Sequence, residues 1–531
     1  MRNRFLFALP LVTVLLDGAV RADCLGCHPQ KDQGFAPGHA FGSQHCETCH
    51  RGDPAAAGAE QGHRGLIAFP GDLASAGQSC GGCHAEQVRS VSSGFMATGK
   101  GMVSVSRYAF GEQDSPSGTD DTLSTLGRGP ADSLLRKLCA SCHLGQPKKA
   151  HAHEVVSDRG GGCAACHVNA YPGDAHPALT RRVEDGRCFG CHSRSSRIAL
   201  SYAGLAEILP EQAYEQGGGL ARLGDGRLLA RLPADVHHRA GMACIDCHTG
   251  RGLMASARGL DHQEQAVDIA CADCHANANP RVSRADLPPE DSPAVLPFSG
   301  PADQPFLATA DGTPLWHVEV RPDGNLLHLK ILPGVLSIPP LDPRHHPGGA
   351  HDRLACTACH SSWAPQCNGC HLSYEPDGEQ WDHSARRMTP GRWTEARWDF
   401  RQAPPALGVD SRDRIAPFVP GMILRIDHPD EAVSRFRRLF APVTPHTTGR
   451  SRACASCHGP PQALGLGGGV LSRADEEWVL TPDARVLADG LPADAWTGLG
   501  AETRGEATRE GARPLNREEI LRVLEAPIGG R

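Results

Sequence analysis

Aromatic side chains make up only 5% of this sequence, whereas the residues that break regular structure are abundant, with 61 glycines and 42 prolines in 531 positions. Little bulk is left for a conventional core, so loops are expected to outweigh sheets. Beyond a short apolar stretch at the N-terminus, no run is long enough to cross a bilayer. The formal net charge is −7 and no basic cluster interrupts it, which argues against nucleic acid as a partner. Nor is a cysteine left over for a disulfide framework or a zinc ribbon, because all 22 fall inside one recurring motif.

That motif is Cys-x-x-Cys-His, and it occurs eleven times. The cysteine pairs are Cys24 and Cys27, Cys46 and Cys49, Cys80 and Cys83, Cys139 and Cys142, Cys163 and Cys166, and Cys188 and Cys191. They continue with Cys244 and Cys247, Cys271 and Cys274, Cys356 and Cys359, Cys367 and Cys370, and Cys454 and Cys457. The histidines that follow are His28, His50, His84, His143, His167, His192, His248, His275, His360, His371 and His458. Two thiols at this spacing can each add to one vinyl group of a single porphyrin, and the next histidine is then held under the ring to ligate iron. Zinc ribbons join such pairs two by two, which an odd number of pairs, each with its own histidine, does not allow. Closing each pair as a disulfide would not demand histidine at the next position every time. The reading is eleven covalently bound c-type haems, with cysteine thioethers and the motif histidines as proximal iron ligands.

Arg2 and Arg4 precede an apolar run from Phe5 to Leu16, and Val20-Arg21-Ala22 suits signal-peptidase cleavage, so residues 1–22 read as a signal peptide. A retained anchor is the alternative, but the run is short and Asp17 follows it. The expected protein is exported, periplasmic or at the outer surface, with no span after cleavage. Motif density then suggests an eight-haem region over 23–280, a haem-free insert over 281–350, a three-haem region over 351–460 and a haem-free tail over 461–531. In the insert, Pro314 to Val320 and Asn325 to Leu332 alternate in polarity around Arg-Pro-Asp-Gly, which predicts a β-hairpin near 303–335. Helical turns are expected at the motifs, with longer helices over Ala131 to Cys142, Arg194 to Leu209 and Leu515 to Leu524. The fold class expected is mainly α and irregular, nucleated by haem, with little regular structure and the haems supplying much of the buried apolar surface.

Function then depends on the opposite face of each iron, since two protein ligands permit electron transfer alone and an open position permits chemistry. Eleven of the 28 histidines follow a motif, and the remainder exceed the eleven that complete bis-histidine ligation would need. Many stand just before a motif. The candidate distal ligands are His39, His63, His153, His176, His237, His262, His346, His351, His383 and His446, with His45, His151, His238 and His345 as close alternatives. A distal ligand can also serve a haem other than its nearest in sequence. His317, His328 and His428 read as packing or surface residues. No histidine lies between His84 and His143, where Met96, Lys100 and Met102 stand instead. A methionine ligand there would raise one potential, a lysine or vacant position would open a catalytic haem, and plain packing is the alternative.

Several strings carry a family likeness: His63-Arg-Gly-Leu-Ile with Phe69-Pro-Gly-Asp72, Gly241 to Thr249 around the seventh motif, Trp363 to His371, Gln380-Trp-Asp-His383, and Pro445-His-Thr-Thr448 before Ser451 to His458. In these the chain resembles the large exported multihaem c-type cytochromes of bacteria that respire or oxidise extracellular metals. More distantly it is similar to octahaem tetrathionate reductase and hydroxylamine oxidoreductase. The resemblance implies electron transfer through closely packed haems, and supports His63, His237, His383 and His446 as ligand positions. The chain departs from the catalytic members in having no Cys-x-x-Cys-Lys motif, and nothing around Tyr108 supports a haem-linked tyrosine. The expectation is an undecahaem carrier between redox partners, such as other cytochromes, a membrane quinol-oxidising complex or an outer-membrane conduit, in anaerobic or extracellular respiration. No catalytic residue is assigned. The alternatives are an oxidoreductase acting on nitrite, hydroxylamine or tetrathionate at one open haem, and a subunit of a polymeric cytochrome filament or other homo-oligomer.

Overall fold

The structure, a computed structural model, describes residues 24–29, 39, 45–56, 58–148, 159–169, 176–194, 198–214, 219–283, 285, 297–299, 304–342, 349–397, 400–430, 434–500 and 504–526. The segment read as a signal peptide lies outside them. The chain forms two units, one made of 1–70 with 168–180 and the other of 71–167 with 181–531. The smaller unit holds the first two motifs on the short helices Cys24–Cys27 and Cys46–His50, a third helix Ala59–Gly62, and a strand pair of Val168–Asn169 with Ala178–Leu179.

The larger unit overturns the expectation of a mainly helical fold with little regular structure. It is mixed α and β, and its centre is a seven-stranded sheet. Strand Cys370–Asp382 runs antiparallel to Arg387–Arg397 and parallel to the end of Ile415–Asp427. Ile415–Asp427 pairs in turn with Ala406–Val409 and along most of its length with Arg435–Pro442. Arg513–Pro514 and Glu506–Ala507 close the edges.

Two features of the sequence conceal this sheet. The aromatic residues are few but unevenly spread, and all seven tryptophans lie at position 316 or later. Phe418, Phe440 and Trp496 form a fully buried stack, with ring centroids 4.3 and 4.9 Å from Trp496. Gly408 is required there, because a Cβ would come within 2.2 Å of the Trp496 ring. In addition, the inward positions of Arg387–Arg397 include Glu395 and Arg397, so the strand shows period-two burial without period-two hydrophobicity. Those charges are satisfied by Arg194 at 2.6 Å and Glu207 at 2.7 Å.

The remaining elements pack onto this frame. Ala109, Phe110, Ala131 and Leu134 bury against Leu372, Trp393, Leu424 and Leu439 of the sheet. The stretch Ala131 to Cys142 is helical throughout, passing from Pro130–Leu134 into a π-turn at Leu135–Cys139 and a 3-10 turn at Ala140–Cys142. Among the described residues of Arg194 to Leu209, Ala199–Tyr202 forms one short α-helix, and Leu205–Ile208 is a strand paired with Leu228–Arg231. In the insert, Val318–Glu319 pairs with Leu326–His328, and Val335–Ser337 adds a third strand. Its apolar face, with Leu315, Val318 and Leu327, packs on Met242 and on Cys247 and Cys274 of the seventh and eighth motifs. The C-terminal helix Arg517–Glu525, capped by Asn516, buries Ile520 beside Ala358 of the ninth motif.

Candidate functional site

Most motifs fold as the chemistry requires. Five-residue helices carry Cys46–His50, Cys271–His275 and Cys356–His360. Elsewhere a single turn closes when the histidine N–H donates to the carbonyl of the first cysteine, at 2.8 Å for His28 and His84, 2.9 Å for His248, and 3.0 Å for His167 and His458. One turn thus gathers two thiols and an imidazole. Among the described residues, which include all 22 cysteines, no disulfide joins any pair.

Five motif histidines face a histidine from outside the motifs. Ring centroids are 6.1 Å apart for His28 and His63, 6.0 Å for His50 and His176, and 6.1 Å for His275 and His237. They are 6.2 Å apart both for His248 and His446 and for His458 and His351. Two metal–nitrogen bonds of about 2 Å, with each ring centre about 1 Å beyond its nitrogen, separate two axial imidazoles by about 6 Å. Ordinary ring contacts also fall in this range. What distinguishes these five is that each joins one motif histidine to one candidate distal ligand.

The hydrogen bonds of these rings agree in choosing Nδ1. Nδ1 of His50 donates to the Ile67 carbonyl at 2.8 Å, that of His275 to Pro339 at 2.8 Å, and that of His458 to Val523 at 2.9 Å. On the facing side, Nδ1 of His176 donates to Pro177 and that of His446 to Thr444, both at 2.8 Å. Such second contacts fix the tautomer and make Nε2 the nitrogen that could ligate a metal. Burial lowers the pKa of His446, of His192 and of His248, the last to about 4, so these rings are neutral and able to ligate at pH 7.

Asp235 links two of the pairs. Its Oδ1 accepts from Nδ1 of His237 at 2.8 Å and its Oδ2 from the backbone N–H of Thr448 at 2.6 Å, in the loop that presents His446. Burial alone would raise this carboxyl, but donors from His237 and Thr448 outweigh it and hold it below the usual range. The loop is fixed further by Ser201, which donates to the Pro445 carbonyl at 2.7 Å. His446 itself sits at φ 56°, in the left-handed region.

The other candidates are placed differently. His238, the close alternative to His237, packs edge-on against Tyr202 with centroids 5.1 Å apart. His383 is buried beside the fourth motif, its backbone held by Arg136 and Gln146. His262 is buried, with Nε2 at 3.0 Å from the Ser117 hydroxyl. His39 belongs to the smaller unit. His153 and His346, with their alternatives His151 and His345, lie outside the described residues. His317 and His328 use Nε2 on the Asp246 carbonyl at 2.8 Å and on Glu319 at 2.9 Å, and His428 stacks on Trp393. In the interval without histidine, Lys100 reaches Asp120 at 3.7 Å and Asp261 at 3.8 Å, while Met96 and Met102 are each 38% exposed.

The tenth motif departs from the rest. Cys367 and Cys370 lie in strands and are buried, 6% and 0% exposed, where a helical turn was expected. Nε2 of His371 is held by Asp427 at 2.5 Å. As placed, these residues do not fit a porphyrin.

At the fourth motif the fit is good, for His143 is 8% exposed and its Nε2 has no hydrogen-bond partner. An orphaned buried imidazole nitrogen is costly unless a metal takes it. Among the described residues no three His, Cys, Asp or Glu side chains converge on one point, so the recurring donor set is the opposed pair. Among the same residues no helix is long and apolar enough to cross a membrane. No family model, curated protein or solved structure matches the chain.

Proposed function

We propose that the chain is an exported multihaem c-type cytochrome that carries electrons along closely packed, mostly bis-histidine haems between redox partners. Haem iron supplies a one-electron couple when bound. The observation that carries this reading is the set of five opposed histidine pairs, each combining a motif histidine with one from another segment. The protein's part is to hold both axial imidazoles, fix their tautomers through Nδ1 and exclude water, which together set each potential. The motif count sets the expected number of haems at eleven, and other redox proteins at the periplasmic or outer surface are the expected partners. The test is the optical and magnetic spectrum of the reduced holoprotein with and without carbon monoxide. Low-spin haem that ignores carbon monoxide is expected. A large pentacoordinate, high-spin population, or turnover of nitrite, hydroxylamine or tetrathionate, would overturn the reading.

A further inference from the structure

The haem-free insert bonds the middle of the seventh motif, Cys244 to His248, at three points. Nε2 of His317 donates to the Asp246 carbonyl and the backbone N–H of Lys330 to Oδ1 of Asp246, both at 2.8 Å. Nζ of Lys330 donates to the Ile245 carbonyl. Oδ2 of Asp246 is taken separately, by the Ala243 N–H at 2.8 Å. The apolar face of the insert packs on Met242 and Cys247 beside these bonds, so the ammonium is held against the stretch of motif that carries the thiols.

A cation is expensive in such a place. Lys330 is partly buried, and burial lowers its pKa. Among the described residues its ammonium forms no ion pair with a carboxylate, and a carbonyl offsets only part of the cost of withdrawing a charge from water. The groups around this motif are otherwise acidic. Besides Asp246, Asp185 accepts the Cys244 N–H at 2.8 Å, and Asp268 accepts from the Thr249 hydroxyl at 2.7 and 2.9 Å. Lys330 is the one cationic side chain bonded to the motif among the described residues.

The eighth motif is a near copy that the insert treats differently. Cys271 to His275 also carries an aspartate before its second cysteine, and Oδ2 of Asp273 accepts the Ala270 N–H at 2.7 Å as Asp246 does that of Ala243. Here the insert bonds through neutral groups, the Pro339 carbonyl on Nδ1 of His275 at 2.8 Å and the Leu341 N–H on the His275 carbonyl at 2.7 Å.

We propose that Lys330 tunes the seventh haem, its positive charge favouring the ferrous iron and raising that haem's potential against the carboxylates around it. The inference rests on the electron-carrier reading above. A fixed cation beside a haem stabilises the iron that has gained an electron, so the charge acts through its field without touching a reacting atom. The electron comes from a neighbouring ferrous iron, which becomes ferric, and no bond is made or broken. The insert thereby offsets the acidic surroundings of one haem and leaves its twin uncompensated.

Spectropotentiometric titration of the holoprotein at pH 7 tests this with three variants. Lys330→Gln removes the charge and keeps a donor for Ile245, Lys330→Met removes both, and Lys330→Arg keeps both. The Gln and Met variants should each lower the midpoint of one low-spin component by about 30–60 mV, a three- to tenfold shift at 59 mV per tenfold, and the Arg variant should match the unaltered protein. In His446→Gly, which removes the imidazole facing His248, that component should be missing from the low-spin set, which assigns it to the seventh haem. A shift in the Met variant alone would make the bond responsible and not the charge. That result, unmoved potentials in both neutral variants, or a shift confined to another component would each overturn the proposal, and either neutral variant decides if the other fails to fold. Haem count and low-spin ligation in the unaltered protein are measured first. Their failure would remove the carrier reading, whereas unmoved potentials with both intact remove only the role of Lys330.

Discussion

Oδ1 of Asp235 accepts a hydrogen bond from Nδ1 of His237 at 2.8 Å, on the ring that faces His275 of the eighth motif. A carboxylate behind an axial imidazole raises its basicity and favours the oxidised iron. Asp235→Asn should therefore raise the potential of one haem by on the order of 30–60 mV, a tenfold change in a one-electron equilibrium being 59 mV. Spectropotentiometric titration against the unaltered protein checks this. No shift in any component would mean that His237 is not an axial ligand.

His446 offers a cleaner deletion. Its φ of 56° suits glycine better than any other residue, so His446→Gly removes the imidazole facing His248 and relieves the backbone by about 1 kcal/mol. One haem of the set should become high-spin and bind carbon monoxide, and added imidazole should reverse both changes. A spectrum identical to that of the unaltered protein would remove His446 from the ligand set.

These two residues show how much could be read in advance. His63, His176, His237, His351 and His446 were legible as candidates because spare histidines near motifs stand out in a sequence. Their partners were not. His176 precedes Cys188 yet faces His50, and His237 precedes Cys244 yet faces His275. Those pairings are set by long-range packing, which local spacing does not encode. The central sheet was hidden for a different reason, since Glu395 and Arg397 occupy inward strand positions and an average aromatic content conceals the cluster at Phe418, Phe440 and Trp496.

The C-terminal helix gives a pH-dependent outcome. Burial alone would raise the Glu519 carboxyl, but Arg513, the Asn516 N–H and Arg353 hold it down to about 2. Arg513 bonds it at 2.7 and 3.0 Å and Arg353 at 3.0 Å. A carboxylate lowered on folding stabilises above its unfolded pKa near 4.5, and that stability fades as pH falls toward 2. Glu519→Gln should thus cost roughly 1–2 kcal/mol at pH 7, after allowance for solvent screening, and almost nothing at pH 2. Denaturant titrations of the two holoproteins at both pH values measure the difference. Because the Val523 carbonyl on the same helix holds Nδ1 of His458, the loss should be accompanied by a changed spectrum of the eleventh haem.

The tenth motif tests whether the motif or the sheet decides. Burial pushes the Cys370 thiol pKa upward, away from the reactive thiolate, and its Sγ already meets Glu395 at 3.5 Å. His371 cannot ligate iron while Nε2 is held by Asp427 at 2.5 Å. A haem at this site therefore requires His371 to exchange Asp427 for iron and the two cysteines to leave their strands. Asp427 is nearly half exposed, so releasing it into water costs little. If the motif prevails, the intact protein carries eleven haems by mass spectrometry, and Cys367→Ala/Cys370→Ala lowers the count to ten. If the unaltered protein already carries ten haems, and the peptide from 364 to 372 retains two alkylatable thiols, the strand arrangement persists and the tenth motif is structural.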